Sequence, residues 1–313
     1  MKILVTGGAG YIGTTLLPQL LEAGHEVTVF DNLMFGGNQL LPFFRYKNFS
    51  FTRGDIRSVK ELKEATTGKD IIIHLAAIVG FPACKNNPEL TMEVNVQGTK
   101  NLIEATEQHQ IILYGSTGSN YGTVDGVCTE ESVLNPLSLY GETKTEAERL
   151  LLSRGNTIAY RFATAFGVSP RLRLDLLIND FTNKCLKDGY VIVYEKSFMR
   201  TFIHVTDIAR SFMFALNNLD KMIDNVYNVG DESMNYSKEA VCDMIADRTN
   251  AFVHYEEIGS DADKRDYIVS YDKINKLGFR TLVTIEEGID EVVGALKIVD
   301  FQDPYSNAKN ILR

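Results

Sequence analysis

Short apolar runs rich in Ile and Val alternate with amphipathic segments through the first half of the chain. The runs lack polar alternation, which is typical of strands in a sheet buried on both faces. Regular alternation of such strands with helices indicates an α/β fold built on a doubly wound parallel sheet. Strands are predicted at residues 3–6, 26–30, 48–52, 71–75 and 111–114. Helices are predicted at residues 11–23, 58–66, 90–108 and 139–152.

The alternation becomes looser after Arg161, where the polar loops are longer. A predicted helix at 205–216 and a predicted strand at 226–229 then return to the parallel sheet. We therefore expect a larger domain and a smaller, discontinuous C-terminal domain. The larger domain is expected at 1–165 and 205–230, and the smaller one at 166–204 and 231–313.

Bulk composition narrows the class of protein. Hydrophobic residues make up 44% of the chain, which is enough for a full core. Asp and Glu number 41 against 32 Lys and Arg, so we expect no nucleic-acid partner. The longest mostly apolar stretch, 71–81, is shorter than the roughly 18 residues of a membrane span, so we expect no membrane partner either.

The cysteines are far apart and form no CxxC pair. This spacing favours free or buried thiols in a reducing compartment over a disulfide framework or a metal site. The chain begins MKILVTGG, and a strand predicted there leaves no room for a signal peptide. We therefore expect a cytoplasmic protein without a metal. The cysteines are Cys84, Cys128, Cys185 and Cys242.

A glycine-rich loop, GGAGYIG, lies between the first predicted strand and the first predicted helix. Gly7 permits the tight turn, Gly10 lets a pyrophosphate approach the backbone, and Gly13 lets the helix pack on the strand. The N–H groups at the helix start, around Tyr11 and Ile12, would face the phosphates. The loop in this context predicts a dinucleotide-binding site in a Rossmann-type sheet.

Asp31 ends the second predicted strand, 18 residues beyond Gly13. A carboxylate there can accept hydrogen bonds from both hydroxyls of the adenosine ribose and would repel the additional phosphate of NADP. Residues 32–34 contain no Arg or Lys, which also favours NAD. The sequence therefore predicts NAD as the cofactor.

Further candidate cofactor contacts lie at other predicted strand ends. Asp55 and Ile56 could reach the adenine, although Asp55 could equally be a turn residue. Small residues after the fourth strand would let the cofactor cross the sheet edge, although core packing explains them equally well. The remaining candidates are Asn32, Leu75, Ala76 and Ala77.

Tyr140 and Lys144 in LYGETK are four residues apart and would share one face of a helix. An ammonium near a phenol stabilises the phenolate and lowers a tyrosine pKa that is ordinarily near 10. Such a tyrosine can take a proton from a hydroxyl near neutral pH. The alternative for this spacing alone is an exposed helix face.

The segment YGSTGSNYG follows the fifth predicted strand, at the edge where a parallel sheet opens its ligand crevice. It offers the hydroxyls of Ser116, Thr117 and Ser119 to a ligand. Taken by itself, the segment could also be a flexible surface turn. Its position before the helix of Tyr140 favours a site.

Along nearly its whole length the sequence resembles the extended short-chain dehydrogenases/reductases, specifically the nucleotide-sugar epimerases and dehydratases. The resemblance implies a catalytic triad of Thr117, Tyr140 and Lys144, with Asn95 helping to order the site beside NAD. It also implies a nucleotide-diphosphate sugar as substrate, and a homodimer joined by a four-helix bundle of the helices near 90–108 and 139–152. The motifs that carry it, in order, are GGAGYIG, HLAA (74–77), NVQGT (95–99), STGSNYG, YGETK and RTFIHVTDIA (200–209).

Two positions depart from the family pattern. The family's 4,6-dehydratases carry an Asp–Glu pair where this chain has Gly118 and Ser119, so dehydration is disfavoured. Many members have Asn three residues after Arg161, where this chain has Thr164, which suggests a different sugar.

Cations of the smaller domain are candidates for binding the diphosphate, because guanidinium groups form bidentate hydrogen bonds with phosphates. Arg200 matches a phosphate-binding arginine of the family. For each arginine, a solvated surface position is the alternative. The candidate substrate contacts are Ser116, Thr117, Ser119, Thr164, Arg173, Asn179, Arg200 and Arg265.

The resemblance implies oxidation of the C4 hydroxyl of a nucleotide-activated sugar to a 4-keto sugar by NAD. Return of hydride to the other ring face would make the protein a 4-epimerase. Release of the keto sugar would make it a C4 dehydrogenase, as in GDP-heptose pathways. The alternatives are a non-catalytic NAD-binding regulatory protein and, with weaker support, a 4,6-dehydratase.

Overall fold

The computed structural model describes residues 1–257, 266–299 and 307, except for the side chain of Asp125. The strands are β1 (Lys2–Thr6), β2 (Glu26–Asp31), β3 (Phe49–Arg53), β4 (Ile71–His74), β5 (Ile111–Thr117), β6 (Thr123–Cys128), β7 (Thr157–Phe162), β8 (Thr164–Phe166), β9 (Tyr190–Tyr194), β10 (Met199–His204), β11 (Asn225–Val229), β12 (Asn235–Ser237), β13 (Phe252–Glu256) and β14 (Asp266–Val269). The α-helices are α1 (Tyr11–Glu22), α2 (Val59–Thr66), α3 (Phe81–Asn86), α4 (Pro88–Thr91), α5 (Gly98–Ala105), α6 (Leu139–Arg154), α7 (Leu177–Asp188), α8 (Val205–Leu216), α9 (Leu219–Met222), α10 (Lys238–Thr249), α11 (Asp272–Lys276) and α12 (Ile285–Ile298). Short 3-10 helices lie at Asn38–Arg45, Gly118–Asn120 and Glu232–Met234, and a π-helix lies at Met92–Gln97.

Within the described ranges, seven strands form one parallel sheet in the order β11-β7-β5-β4-β1-β2-β3. All residues of β4 and β7 are buried, as expected for strands of a parallel sheet that is covered on both faces. The chain reverses its direction of growth between β1 and β4, which is where open α/β sheets form their ligand crevice. The prediction of a doubly wound Rossmann-type sheet is confirmed.

Two hydrophobic cores lie on the two faces of this sheet. Ile3 and Val5 of β1 pack in one core with α1 and α8, whereas Leu4 packs in the other with α2, α5 and α6. This alternation follows from the two-residue period of a strand. No helix among the described residues combines the length and apolar character that a membrane crossing requires.

A third hydrophobic core joins α7, α10 and α12 with strands of smaller sheets. Strand β10 pairs with β8 in parallel and with β12 antiparallel, and β9 pairs with β13. We propose that this core belongs to the smaller, discontinuous domain. The four cysteines are free and buried, in agreement with their spacing.

Candidate active site

A cavity of about 520 Å³ opens where the carboxyl ends of β1, β2, β4, β5 and β7 meet. Most of the predicted site residues line it, although they come from widely separated parts of the chain. Those in the lining are Gly7, Gly10, Tyr11, Ile12, Gly13, Asp31, Asn32, Ile56, Leu75, Ala76, Ala77, Ser116, Thr117, Ser119, Tyr140, Lys144, Thr164, Arg173 and Arg200.

The glycine loop is closely packed against the end of β4. Gly7 has a φ of 70°, and a Cβ there would lie 2.6 Å from the backbone N of Ala76. A Cβ on Gly13 would lie 2.5 Å from the carbonyl oxygen of Gly8. Gly10 precedes α1 without a capping side chain, and no acidic residue occupies the first turn. These features fit a dinucleotide whose phosphates bind the N–H groups of the helix start.

Asp31 lies at the end of β2 beside this loop. Its carboxylate accepts hydrogen bonds from the N–H groups of Ala9 at 3.1 Å and Leu33 at 2.8 Å. Burial raises the pKa of the Asp31 carboxyl, and the two hydrogen bonds oppose that rise. Each oxygen accepts a single backbone bond, so the carboxylate keeps the capacity to accept ribose hydroxyls.

Asp55 lies outside the cavity lining, whereas its neighbour Ile56 is part of it. The Asp55 carboxylate pairs with Arg57 at 2.9 Å and accepts a hydrogen bond from Asn32 at 3.2 Å. Burial alone would raise the pKa of Asp55, but the hydrogen bonds from Arg57 and Asn32 hold it below the usual value. This geometry agrees with the turn-residue alternative.

Asn95 is buried in the π-helix behind the cavity wall. Its side chain accepts a hydrogen bond from the Ile78 N–H at 2.8 Å, and donates to the Ile78 carbonyl at 2.9 Å and to Thr143 at 3.1 Å. The single helix expected at 90–108 is wrong in detail, because the structure has α4, this π-helix and α5 in succession over residues 88–105. Val94, Asn95 and Val96 are all buried in this π-helical turn, and π-helical turns inside helices frequently occur at functional sites.

Tyr140 and Lys144 lie in the first two turns of α6, which begins after Ser138 caps it by accepting the Gly141 N–H at 3.2 Å. Thr117 ends β5 across the cavity. Its hydroxyl accepts the Ser119 N–H and donates to the Ser119 hydroxyl, both at 3.1 Å. The three expected triad residues therefore line one cavity.

The Lys144 side chain is only 3% exposed, and its ammonium lies 4.1 Å from the centre of the Tyr114 ring. Burial lowers the pKa of Lys144 to about 7, against the opposing effect of Glu148. Lysine is therefore close to its midpoint at neutral pH. A modest change in its surroundings would alter its charge.

The arginines predicted to bind the diphosphate have different surroundings. Arg173 forms a two-pronged ion pair with Asp175, with both side chains 12% exposed. Arg200 is buried and donates to its neighbour's carbonyl, that of Met199, at 3.0 Å. Arg265 falls outside the described residues.

Asn179 and Thr164 have different surroundings. Asn179 is fully buried, and its side chain bonds the N–H and carbonyl of Gly167 and the carbonyl of Arg173, so it braces a loop. The Thr164 hydroxyl is buried without a hydrogen-bond partner among the described residues, and Thr164 lines the cavity. Of the two, only Thr164 is part of the cavity lining.

Two residues of the site region were not predicted from the sequence. Arg171 lines the cavity, donates to Asn307 at 3.0 Å, and lies 4.9 Å from the centre of the Phe35 ring. The alternating arginines of SPRLRLD were the available signal. Glu148, one turn after Lys144, accepts a hydrogen bond from Ser116 at 2.6 Å, and the spacing of four residues could have indicated it.

The fold and the cavity define an enzyme of the NAD-dependent oxidoreductase class. The chain belongs to the NAD dependent epimerase/dehydratase family, whose model matches residues 3–230, more than half of its length. The predicted family, extended short-chain dehydrogenases/reductases, and the predicted NAD cofactor are thereby confirmed.

Individual relatives extend this result. The chain is 30% identical, over 94% of its length and 98% of the relative, to a Methanocaldococcus jannaschii protein provisionally named UDP-glucose 4-epimerase. The Thermus thermophilus UDP-glucose 4-epimerase complex with NAD has a TM-score of 0.83 and 26% identity, covering 96% of this chain and 100% of that one. The structure of MoeE5 in complex with UDP-glucose and NAD has a TM-score of 0.82 and 28% identity, and the match covers 95% of this chain and 99% of that one.

Proposed function

We propose that the chain oxidises the C4 hydroxyl of a nucleotide-activated sugar to a 4-keto sugar, with Tyr140 as the base. The observation that carries this proposal is the shared cavity. Thr117, Tyr140 and Lys144 line it together with the glycine loop and Asp31. A proton acceptor and a dinucleotide site therefore open onto the same space.

Different residues of the chain bind NAD and take part in the oxidation at C4. Gly7, Gly10 and Gly13 hold the diphosphate of NAD, and Asp31 accepts its adenosine ribose hydroxyls. Bound NAD supplies the acceptor for the hydride that leaves C4. Tyr140 takes the proton of the C4 hydroxyl, so one hydride and one proton leave together and the C4–O bond becomes a carbonyl.

Lys144 and Thr117 support that proton transfer. The charged form of Lys144, a residue that is only 3% exposed, stabilises the Tyr140 phenolate. The Thr117 hydroxyl orients the sugar oxygen toward Tyr140. Its contacts with Ser119 fix it at the end of β5, so it needs little reordering when substrate binds.

The substrate class is proposed from the other wall of the cavity. Arg200 and Arg171 bring positive charge to the space beyond the triad, which suits a diphosphate. The Thr164 hydroxyl can bond the sugar or the phosphate. The neighbours that carry UDP-glucose or the name UDP-glucose 4-epimerase support a nucleotide-diphosphate sugar and the 4-epimerase outcome.

Other outcomes have weaker support. The positions after Thr117 are Gly118 and Ser119, which provide no carboxyl pair for a 4,6-elimination. A non-catalytic NAD-binding protein would not need both Tyr140 and Lys144. A C4 dehydrogenase of GDP-heptose type shares the first half-reaction and remains the second candidate.

Incubation with NAD and a panel of UDP-, dTDP-, CDP- and GDP-sugars, followed by product NMR, tests the proposal. A 4-epimer without net NADH identifies an epimerase, and a 4-keto sugar with stoichiometric NADH identifies a dehydrogenase. NAD binding without turnover of any sugar contradicts the proposed oxidation.

We also propose a homodimer whose four-helix bundle is formed by the helical segment 88–105 and α6 of each chain. These elements pack side by side on one face of the sheet, as such a bundle requires. Light scattering that gives the mass of two chains supports this arrangement, and the mass of one chain contradicts it.

A further inference from the structure

Glu148 lies in α6 one turn beyond Lys144 and is 2% exposed. Its carboxylate accepts hydrogen bonds from the Ser116 hydroxyl at 2.6 Å and from Asn120 at 3.3 Å. It also forms a two-pronged ion pair with Arg161 of β7, at 2.7 and 3.1 Å. One buried carboxylate thus joins α6 to the ends of β5 and β7.

Arg161 is held from its other side as well. It donates to the Tyr121 hydroxyl and to the carbonyl of Glu130, each at 3.1 Å. Ser116 directly precedes Thr117, and Tyr140, Lys144 and Glu148 follow one another at intervals of four residues. The hydrogen bond between Ser116 and Glu148 therefore connects the strand end that carries Thr117 to the helix that carries the other two triad residues.

The titratable groups around Lys144 come from four elements. They are Glu148 of α6, Tyr114 of β5, His74 of β4 and Cys84 of α3. Tyr140 precedes Lys144 by one turn of α6, and the cation Arg161 is paired with Glu148. Burial lowers the pKa of His74 to about 3 and raises that of Cys84 to about 11, so both are neutral at pH 7. Burial also raises the pKa of Tyr114 well above its usual value.

Among these groups of the described residues, Glu148 is therefore the one that carries a negative charge. During the reaction, the Tyr140 phenolate would be a second anion. The charge of Glu148 favours the charged form of Lys144 against the cost of burial. We propose that Glu148 is a positioning residue of the active site, which holds the Thr117 strand end against α6 and favours the ammonium form of Lys144. Its effect on turnover rests on the proposed role of Tyr140, whereas its effect on Lys144 does not.

Glu148→Gln tests the charge directly, because it keeps the shape of the side chain. The titration of Lys144 is followed by NMR of protein labelled at the lysine side chains, with Lys144→Arg to assign the signal. The midpoint is expected to fall by about one pH unit or more. If the sugar is turned over, the rising limb of the kcat–pH profile is expected to move to higher pH, because a neutral Lys144 no longer stabilises the phenolate.

Three further variants separate the effect of the Glu148 charge from its effect on the position of the Thr117 strand end. Glu148→Asp keeps the charge and should leave the Lys144 midpoint near the parental value while lowering kcat. Ser116→Ala loses the strand contact and should lower kcat without moving the pH profile. Glu146→Gln, which affects a partly exposed glutamate paired with Arg149 on the same helix, should change neither quantity.

Equal Lys144 midpoints in folded Glu148→Gln and parent would overturn the electrostatic role, and an unchanged kcat in Ser116→Ala would overturn the positional one. If Glu148→Gln does not fold because Arg161 is left unpaired, the double variant Glu148→Gln, Arg161→Gln replaces it. The double variant is compared with Arg161→Gln alone, so that the two proteins differ only in the charge of Glu148, and equal Lys144 midpoints in these two proteins also overturn the proposal. Since the NMR midpoint needs no substrate, it decides the matter even if no sugar is turned over.

Discussion

The ammonium of Lys144 lies 4.1 Å from the centre of the Tyr114 ring, in a site where the lysine is 3% exposed. The ring face attracts a cation, yet burial outweighs that attraction and lowers the pKa of Lys144 to about 7. The protein thus keeps a lysine near the point of deprotonation beside its proposed base. This relationship has a consequence for stability as well as for catalysis.

The stability of the protein is expected to depend on the charge of Lys144. In the unfolded chain lysine keeps its proton up to its ordinary pKa of 10.5, whereas in the folded chain it releases the proton near pH 7. Between these values the unfolded state binds more protons, so the free energy of unfolding rises with pH. Lys144→Met removes this dependence, and its stability advantage over the parent should shrink by about 3 kcal/mol from pH 7 to pH 10.

Urea unfolding at several pH values measures this difference. Lys100→Met, on the exposed face of α5, is the control and should show a stability difference that does not vary with pH in this range. A constant difference between Lys144→Met and the parent would show that Lys144 titrates as an exposed lysine does.

The glycine loop is predicted to tolerate no side chain at Gly7. Alanine there would have a φ of 70° and a Cβ 2.6 Å from the Ala76 nitrogen, so the loop must shift. We expect Gly7→Ala to weaken NAD binding at least about tenfold and to lower the free energy of unfolding by more than about 1 kcal/mol. Calorimetric titration and thermal unfolding measure the two effects.

Gly24→Ala is the control for Gly7→Ala. Gly24 has a φ of 80°, but no atom lies within 4 Å of its added Cβ. The control should therefore lose only about 1 kcal/mol of stability and keep its affinity for NAD. Equal NAD affinities for the two variants would contradict the role given to the close contact at Gly7.

Asp31 is expected to select NAD over NADP by its charge. Asp31→Asn keeps the shape of the side chain and removes the repulsion of the additional phosphate. The ratio of NADP to NAD dissociation constants should fall by at least about tenfold. Glu26→Gln, at the exposed start of the same strand, is the control, and a parental ratio in Asp31→Asn would refute the assignment.

Much of the fold could be predicted because β4, for example, is buried on both faces and begins with three consecutive isoleucines. Tyr140 and Lys144 could be paired in advance because helical geometry relates residues four apart. The contact between Lys144 and the Tyr114 ring could not be predicted, since it depends on how β5 packs against α6. Local spacing fixes neighbours along one element but not across elements.

The substrate side shows the same limit. Arg173 and Asn179 were both predicted from their polar character, yet Arg173 pairs with Asp175 and Asn179 bonds backbone groups of Gly167. Residue type cannot distinguish a side chain that serves a ligand from one that satisfies buried backbone groups. Only the loop conformation between β8 and α7 separates them.

Thr164 is expected to bind substrate through a hydroxyl that has no partner among the described residues. Thr164→Val should not lower the free energy of unfolding, because it removes an unpaired buried polar group. The KM for the nucleotide sugar should rise about two- to tenfold if one hydrogen bond is lost. Thr182→Val is the control. The buried Thr182 hydroxyl also has no hydrogen-bond partner among the residues that the structure describes, but Thr182 lies outside the cavity lining. The KM of this variant should therefore not change.

The role of Tyr140 as the base is tested most directly by turnover of Tyr140→Phe on the sugar identified from the panel. The phenylalanine fills the same space and lacks the acidic hydroxyl. We predict that kcat falls about 100- to 10,000-fold while the variant still folds and binds NAD. Near-parental turnover by folded, NAD-bound Tyr140→Phe would contradict the account.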